Sequence, residues 1–186
     1  MRFLFNAISA VFHPLLMPTY GIILTIFFTY LWMLPNKMKF LVVFLVFSLT
    51  CLFPALLILL MMRFGKIKDA ELTNRKERSI PYLIFIAALV FTCFLLYRIS
   101  FPLWVISIFL AVCVALLCAV VINFYWKISV HALGIGSLLG GVMAFAKIAH
   151  VNYYGAFISL FIIAGAVCSS RIYLGRHTPM QVLAGF

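Results

Sequence analysis

The sequence predicts an all-α polytopic membrane helix bundle of six spans, plus the start of a C-terminal helix after His177. Hydrophobic residues make up 67% of the chain and charged residues 9%, against roughly 45–50% and about 25% in ordinary globular chains. Mean hydropathy is +1.25. The apolar runs are long and lack the period-2 alternation of barrel strands, which leaves helices as the spanning element. No linker or internal repeat divides the chain, so residues 1–186 are read as one transmembrane domain.

The first apolar segment covers 7–33. It is longer than a signal-peptide core and no small-residue cleavage site follows it, so it is read as a retained span. His13-Pro14 and Pro18 predict an irregular entry before a straight helix from about Tyr20. His13 starts on the face that carries the later motifs, although a histidine so placed more often satisfies local backbone.

After the turn Pro35-Asn36-Lys37-Met38-Lys39, a second span runs from about Phe40 to Met62, long enough for ~30 Å of hydrocarbon. Pro54 should kink it. Arg63 to Ser79 is the one long polar segment and holds all three acidic residues, Asp69, Glu71 and Glu77. Pro81 fits the first position of a third span reaching about Tyr97. A fourth span, about Leu103 to Tyr125, follows the turn at Arg98–Pro102.

The fifth span, about Ala132 to Lys147, carries Gly136-x-x-x-Gly140, a helix-packing pattern. His150–Gly155 reads as a turn with interfacial aromatics. The sixth span runs from about Ala156 to Tyr173. Thr178 then reads as an N-cap and Pro179 as the first residue of a seventh helix. The five cysteines all lie in apolar segments without a Cys-x-x-Cys pair and are read as buried hydrophobes.

Six crossings bring the N-terminus, the Arg63–Ser79 loop, the Lys127–His131 turn and the Arg171–Gln181 stretch to one side. Ten of the 14 basic residues sit there: Arg2, Arg63, Lys66, Lys68, Arg75, Lys76, Arg78, Lys127, Arg171 and Arg176. A net charge of +11 would suggest nucleic acid in a soluble protein. Confined to short loops of a membrane chain, it points instead to anionic lipid or phosphate.

His131 and His177 fall at span ends on that same face. Histidine titrates near neutrality, so one can be a nucleophile and the other a general acid. Arginine offers planar bidentate donors to phosphate oxygens and stabilises a phosphoryl group in transfer. No carboxylate cluster or Cys/His spacing suggests a metal or other cofactor.

These residues resemble the motifs of the type 2 phosphatidic acid phosphatase superfamily. Its third motif is Ser-Arg-x5-His-x3-Asp. Ser170-Arg171, His177 and Gln181 stand at that spacing, with glutamine at the aspartate position. Its second motif, Pro-Ser-Gly-His, is matched by Ser129 and His131. Its first, Lys-x6-Arg-Pro, is matched in spacing by Lys68 and Arg75, with Arg78 and Pro81 as a looser version. The matches lie at about 68–81, 127–131 and 170–181.

The resemblance implies a metal-independent phosphatase that removes phosphate from a membrane lipid phosphate or diphosphate through a phosphohistidine. The compatible classes are phosphatidic acid, phosphatidylglycerophosphate, undecaprenyl diphosphate and lipid A type. It implies His177 as nucleophile and His131 as the acid that protonates the leaving oxygen. Arg171, Lys68, Arg75 and Arg78 would bind phosphate oxygens, Ser129 would add a neutral donor, and Gln181 would orient His177. The alternatives are a non-catalytic anionic-lipid binder or transporter, and a small-molecule phosphatase, against which the short loops argue. The expected setting is the bilayer of a bacterial inner membrane. Charge bias places the basic face in the cytoplasm, the resemblance places it outward, and the periplasmic side is the expectation adopted.

Overall fold

The computed structural model describes residues 1–69, 72, 75–149 and 154–186. Glu71 and most of the turn expected at His150–Gly155 lie outside the described residues. Every regular element among those described is helical. Six helices are long and apolar enough to cross a membrane, so the chain is an integral membrane protein.

The first crossing is broken at His13-Pro14. Helix α1 (Arg2–Val11) stops there, a 3-10 turn covers Pro14–Leu16, and α2 (Met17–Phe28) continues, earlier than the expected start near Tyr20. Pro14 has no N–H to offer the turn before it, and its ring displaces the carbonyl four residues back. His13 caps the 3-10 turn, its Nδ1 accepting the Leu15 N–H at 3.3 Å.

The second crossing is α3 (Asn36–Phe47), a π-turn at Ser48–Leu52 and α4 (Phe53–Arg63). The widened turn is how the helix accommodates Pro54, whose ring would otherwise meet the Thr50 carbonyl. The Thr50 hydroxyl is buried and donates to the Val46 carbonyl at 2.8 Å.

Helices α5 (Ser79–Arg98), α6 (Leu103–Tyr125), α7 (Val130–Ala149) and α8 (Tyr154–Tyr173) form the other crossings. Pro81 is the third residue of α5 and not the first. It is still within the turn whose N–H groups have no intrahelical acceptor, so it costs no hydrogen bond. A short α9 (Pro179–Leu183) follows the Thr178 cap.

Helix α5 packs on α6, α7 on α8, and α2 lies against both α3 and α7. One core gathers Ile22, Val42, Leu89, Val105 and Leu116; a second gathers Ile135, Val142, Phe145, Leu160 and Val167. Trp104 packs against both and donates its Nε1–H to the Tyr30 hydroxyl at 3.1 Å. Outward-facing Phe44, Leu59, Val114, Val121 and Phe161 remain exposed. In water each such side chain would forgo ~1.5–3 kcal/mol of burial; a lipid surround removes that cost. Cys93 and Cys113 are buried and Cys51 and Cys168 half-buried, whereas Cys118 is exposed on α6.

The small residues of α7 work differently from the expected Gly136/Gly140 pair, since a Cβ at Gly140 would meet nothing within 4 Å. The close approaches are at Gly134, where a Cβ would lie 3.0 Å from Met17 Cγ, and at Gly141, where it would lie 3.1 Å from Ile108 Cγ2. Gly136 instead seats the chain beyond α9: a Cβ there would lie 2.6 Å from the Phe186 carbonyl oxygen. A Cβ at Gly185 would collide with the Ser129 carbonyl oxygen.

Gly185→Ala should therefore lower the melting temperature in detergent, by an overpacking cost of ~1–3 kcal/mol. Gly165→Ala, whose added Cβ meets nothing within 4 Å, should not. Equal melts for the two variants would mean that α9 is not seated on α7.

Candidate active site

The site begins with the way α8 ends. Gly175 adopts φ +67°. The Gly175 N–H bonds the Ile172 carbonyl at 2.9 Å and the Arg176 N–H bonds the Arg171 carbonyl at 3.1 Å. This Schellman closure needs a left-handed residue, which glycine supplies without a Cβ penalty. The reversal folds His177 back toward Arg171, whose carbonyl also accepts the His177 N–H at 3.3 Å.

Thr178 then opens α9 with a capping box. Its hydroxyl accepts the Gln181 N–H at 3.4 Å, and Gln181 Oε1 accepts the Thr178 N–H at 3.3 Å. The same Oε1 lies 3.2 Å from His177 Nδ1. Because a backbone N–H identifies that amide atom as the oxygen, Nδ1 must be the donor. The neutral ring therefore carries its proton on Nδ1 and its lone pair on Nε2.

Gln181 also reaches the second motif. Its main-chain carbonyl accepts the Ser129 N–H at 3.2 Å. Ser129 is fully buried and its hydroxyl accepts the Ala132 N–H at 3.4 Å, as the N-cap of α7. It is a structural cap and not one of the residues lining the cavity.

That cavity, about 70 Å3, is lined on its polar side by His13, Arg78, Tyr82, His131, Arg171 and His177. One water needs ~10–15 Å3 of such space, so a phosphoryl group fits. Arg78 is buried, with Nε donating to the Leu72 carbonyl at 2.6 Å and Nη1 to the Ile128 carbonyl at 3.0 Å. The Tyr82 hydroxyl also hydrogen-bonds it. These neutral partners fix the guanidinium plane without cancelling its charge.

Arg171 is held from the N-terminal helix. Its Nη1 donates to Ser9 Oγ at 3.3 Å, and Ser9 Oγ lies 3.0 Å from Ser170 Oγ. The Ser170 hydroxyl spends its proton on the Val167 carbonyl at 2.7 Å, so Ser9 must be the donor to Ser170. The chain runs Arg171 to Ser9 to Ser170 to Val167 with every hydroxyl proton placed. The Ser9 backbone in turn hydrogen-bonds the His131 ring. Nothing in the sequence singled out Ser9.

Lys68 and Arg75, expected at the phosphate, do not line the cavity. Lys68 is exposed and its main-chain N–H bonds the Glu77 carboxylate at 2.9 Å. Arg75 Nη1 donates to the Tyr125 carbonyl at 2.6 Å, at the end of α6, where the helix dipole favours a cation. Their spacing would share a face only in a continuous helix, and among the described residues from Lys68 to Glu77 only the 3-10 turn Arg75–Glu77 is helical. Lys127 lies closer to the site, its Nζ donating to the Arg176 carbonyl at 2.9 Å. Burial first, then the charges of Arg78, Arg171 and Arg176, lowers the Lys127 pKa, with Asp69 opposing.

The same field acts on the nucleophile candidate. Burial, followed by the charges of Arg78 and Lys127, pushes the His177 imidazole down to about 3, against a smaller raising effect from the Gln181 hydrogen bond. His177 is thus neutral throughout the physiological range. Among the described residues no group of three or more His, Cys, Asp or Glu is placed to hold a metal ion.

A second cavity of about 60 Å3 adjoins the first and shares Pro14, Phe85 and Val130 with it. Its walls are almost wholly apolar, with Leu89, Phe109 and Leu133 among them. The molecule is therefore a membrane helix bundle with a cationic, histidine-lined cavity at one end and an apolar extension into its interior. No family model, curated protein or solved structure matches the chain.

The His177 ring should show no titration between pH 5 and 8 when followed by NMR in detergent. Linkage has a definite sign here. The unfolded ring protonates near 6.5, so the stability this residue contributes is complete above that pH and is lost as pH falls toward about 3. A ring inflection near 6.5 would show that water, and not protein, surrounds it.

Proposed function

We propose that the protein is a lipid phosphatase that works through a phosphohistidine on His177. The observation that carries this reading is the fixed tautomer. Gln181, locked by the capping box, leaves the lone pair of a neutral histidine on Nε2, and that histidine lines a cavity with Arg78, Arg171 and His131. A nucleophile of this kind needs an unprotonated nitrogen, an orienting partner and nearby cations.

In the first step Nε2 attacks phosphorus, the P–O bond to the lipid breaks, and His131, which takes up a proton as the anionic substrate enters, passes it to the leaving oxygen. In the second, water attacks the phosphohistidine, loses a proton to His131, and the P–N bond breaks to release phosphate. Arg78 and Arg171 hold the equatorial oxygens in both steps. Gln181 sets the tautomer but adds no charge, so the two arginines carry more of the electrostatic work than an orienting carboxylate would require of them. The apolar cavity beside the polar one supports a lipid as the source of the phosphate, with hydrocarbon beside Phe85 and Val130.

Purified protein in detergent with EDTA should release phosphate from a panel of lipid phosphates and diphosphates. His177→Ala should abolish release, and Arg78→Ala should lower kcat/KM by ~10²–10³. Lys68→Ala and Arg75→Ala should leave kcat/KM within a few-fold of wild type. Phosphate binding without release from any lipid would replace this reading with that of an anionic-lipid binder, which the uncharged Gln181 would then explain.

A further inference from the structure

We infer that Ser9 is a positioning residue of this site, its hydroxyl directing the Arg171 guanidinium and its main-chain carbonyl directing the His131 ring. The inference rests on the reading of the polar cavity as a phosphate site and adds a residue from outside all three motifs. Ser9 is not among the residues that line the cavity; it acts through two that do. It lies on α1, which packs against α8, and it is the one buried residue of that helix. A helix that served only to anchor the chain would be better served by an apolar residue at that point, since a buried hydroxyl is unfavourable unless it is hydrogen-bonded.

Thr50, Thr92, Ser107 and Ser159 each donate to the carbonyl four residues back, the common habit of a hydroxyl in a helix. Ser9 gives its proton instead to Ser170 Oγ, 3.0 Å away, and its oxygen accepts from Arg171 Nη1 at 3.3 Å. Because Ser170 is itself committed to the Val167 carbonyl, the Ser9 proton has one direction and the lone pair facing Arg171 is held in place. The carbonyl has a different origin. Ser9 is in the last turn of α1, and the residue four further on lies beyond the helix end at Val11, so this carbonyl stands outside the intrahelical ladder. The Ser9 N–H belongs to the helix, so the main-chain bond to the His131 ring is made by the carbonyl. A carbonyl can only accept. The ring nitrogen facing it therefore carries a proton, and exchange with the substrate falls to the other nitrogen. One residue of the first crossing thus fixes two groups, from α7 and α8, on the cavity wall.

Three substitutions separate the hydroxyl from the packing. Ser9→Ala removes it, Ser9→Cys keeps the side-chain shape but leaves only a weak sulfur acceptor, and Ser9→Thr keeps the hydroxyl. Thr92→Val removes a buried helix hydroxyl that does not line the cavity and shows what such a loss does to stability alone. Each is compared with wild type for binding of inorganic phosphate by calorimetry in detergent, with a thermal melt beside it. Ser9→Ala and Ser9→Cys should bind phosphate roughly 10-fold more weakly, the lower end of the scale for one hydrogen bond to a charged group. Ser9→Thr should bind close to wild type, and so should Thr92→Val, whatever its melting temperature. NMR spectra of the His131 ring nitrogens test the carbonyl and need no variant: the neutral ring should be a single tautomer in wild type, and should stay so in Ser9→Ala.

Wild-type affinity in both Ser9→Ala and Ser9→Cys would overturn the role of the hydroxyl and leave the phosphate site standing. A loss of affinity that follows the melting temperature through all the variants, Thr92→Val included, would reduce Ser9 to a packing residue. A mixture of His131 tautomers in wild type would overturn the role of the carbonyl. Wild-type protein that binds no phosphate would sink the phosphate reading itself, and Ser9 with it.

Discussion

One amide side chain holds the site together. Gln181 Oε1 accepts the Thr178 N–H and meets His177 Nδ1, while the Gln181 main-chain carbonyl accepts the N–H of Ser129. The first bond makes the amide orientation unambiguous, the second selects the histidine tautomer, and the third ties α9 to the first turn of α7. A helix as short as α9 has no independent stability. It persists because its start is capped and the glycine after it lies against Ser129. In a buried, low-dielectric setting such a network is strong when complete and costly when one partner is lost.

Around this network Arg78 and Lys127 hydrogen-bond uncharged groups, with Asp69 near enough to Lys127 to oppose the lowering of its pKa. Arg78 rests on two carbonyls and a phenol. Burying its charge on neutral partners is unfavourable until a counter-charge arrives. Burial, and after it that same potential, lowers the pKa values of Lys127 and His177. An arriving phosphate would offset it. Binding an anion and returning His177 toward its ordinary basicity are then two effects of one change in local charge, and the ring would become better able to bear positive charge once phosphate is present.

The spans were legible because apolar length and helix termination are local properties. The same holds for the stretch from Ser170 to Gln181: a helix end, a glycine reversal and a capped helix start follow each other within a few turns, so chain order and spatial order agree. Of the first motif, Arg78 and Pro81 line the cavity whereas Lys68 and Arg75 do not, for the complementary reason. Lys68 and Arg75 stand at a familiar spacing, but spacing dictates direction only within regular structure, and neither Lys68 nor Asp69 is in a helix. Ser9 was invisible because its partners are distant in the chain, and an isolated serine in an apolar helix has no pattern to betray it. His13 was visible as a break in a helix but not as part of a wall, since which way a kinked chain turns depends on the neighbours it meets. Gly140 shows the reverse error, a packing pattern on a face that has no close neighbour.

The contact between Ser9 and Arg171 closes a loop of 162 residues, which also sets an order of events during synthesis. Contacts of such separation form late, after the entropy of joining the chain ends has been met. Until the sixth crossing is inserted, α1 has no α8 to lean on, Arg171 has no hydroxyl to bond and His131 lacks its contact with the Ser9 backbone. A chain interrupted anywhere before that point is a set of membrane helices without the cationic, histidine-lined cavity. Completion of the bundle and completion of the cavity are therefore one event.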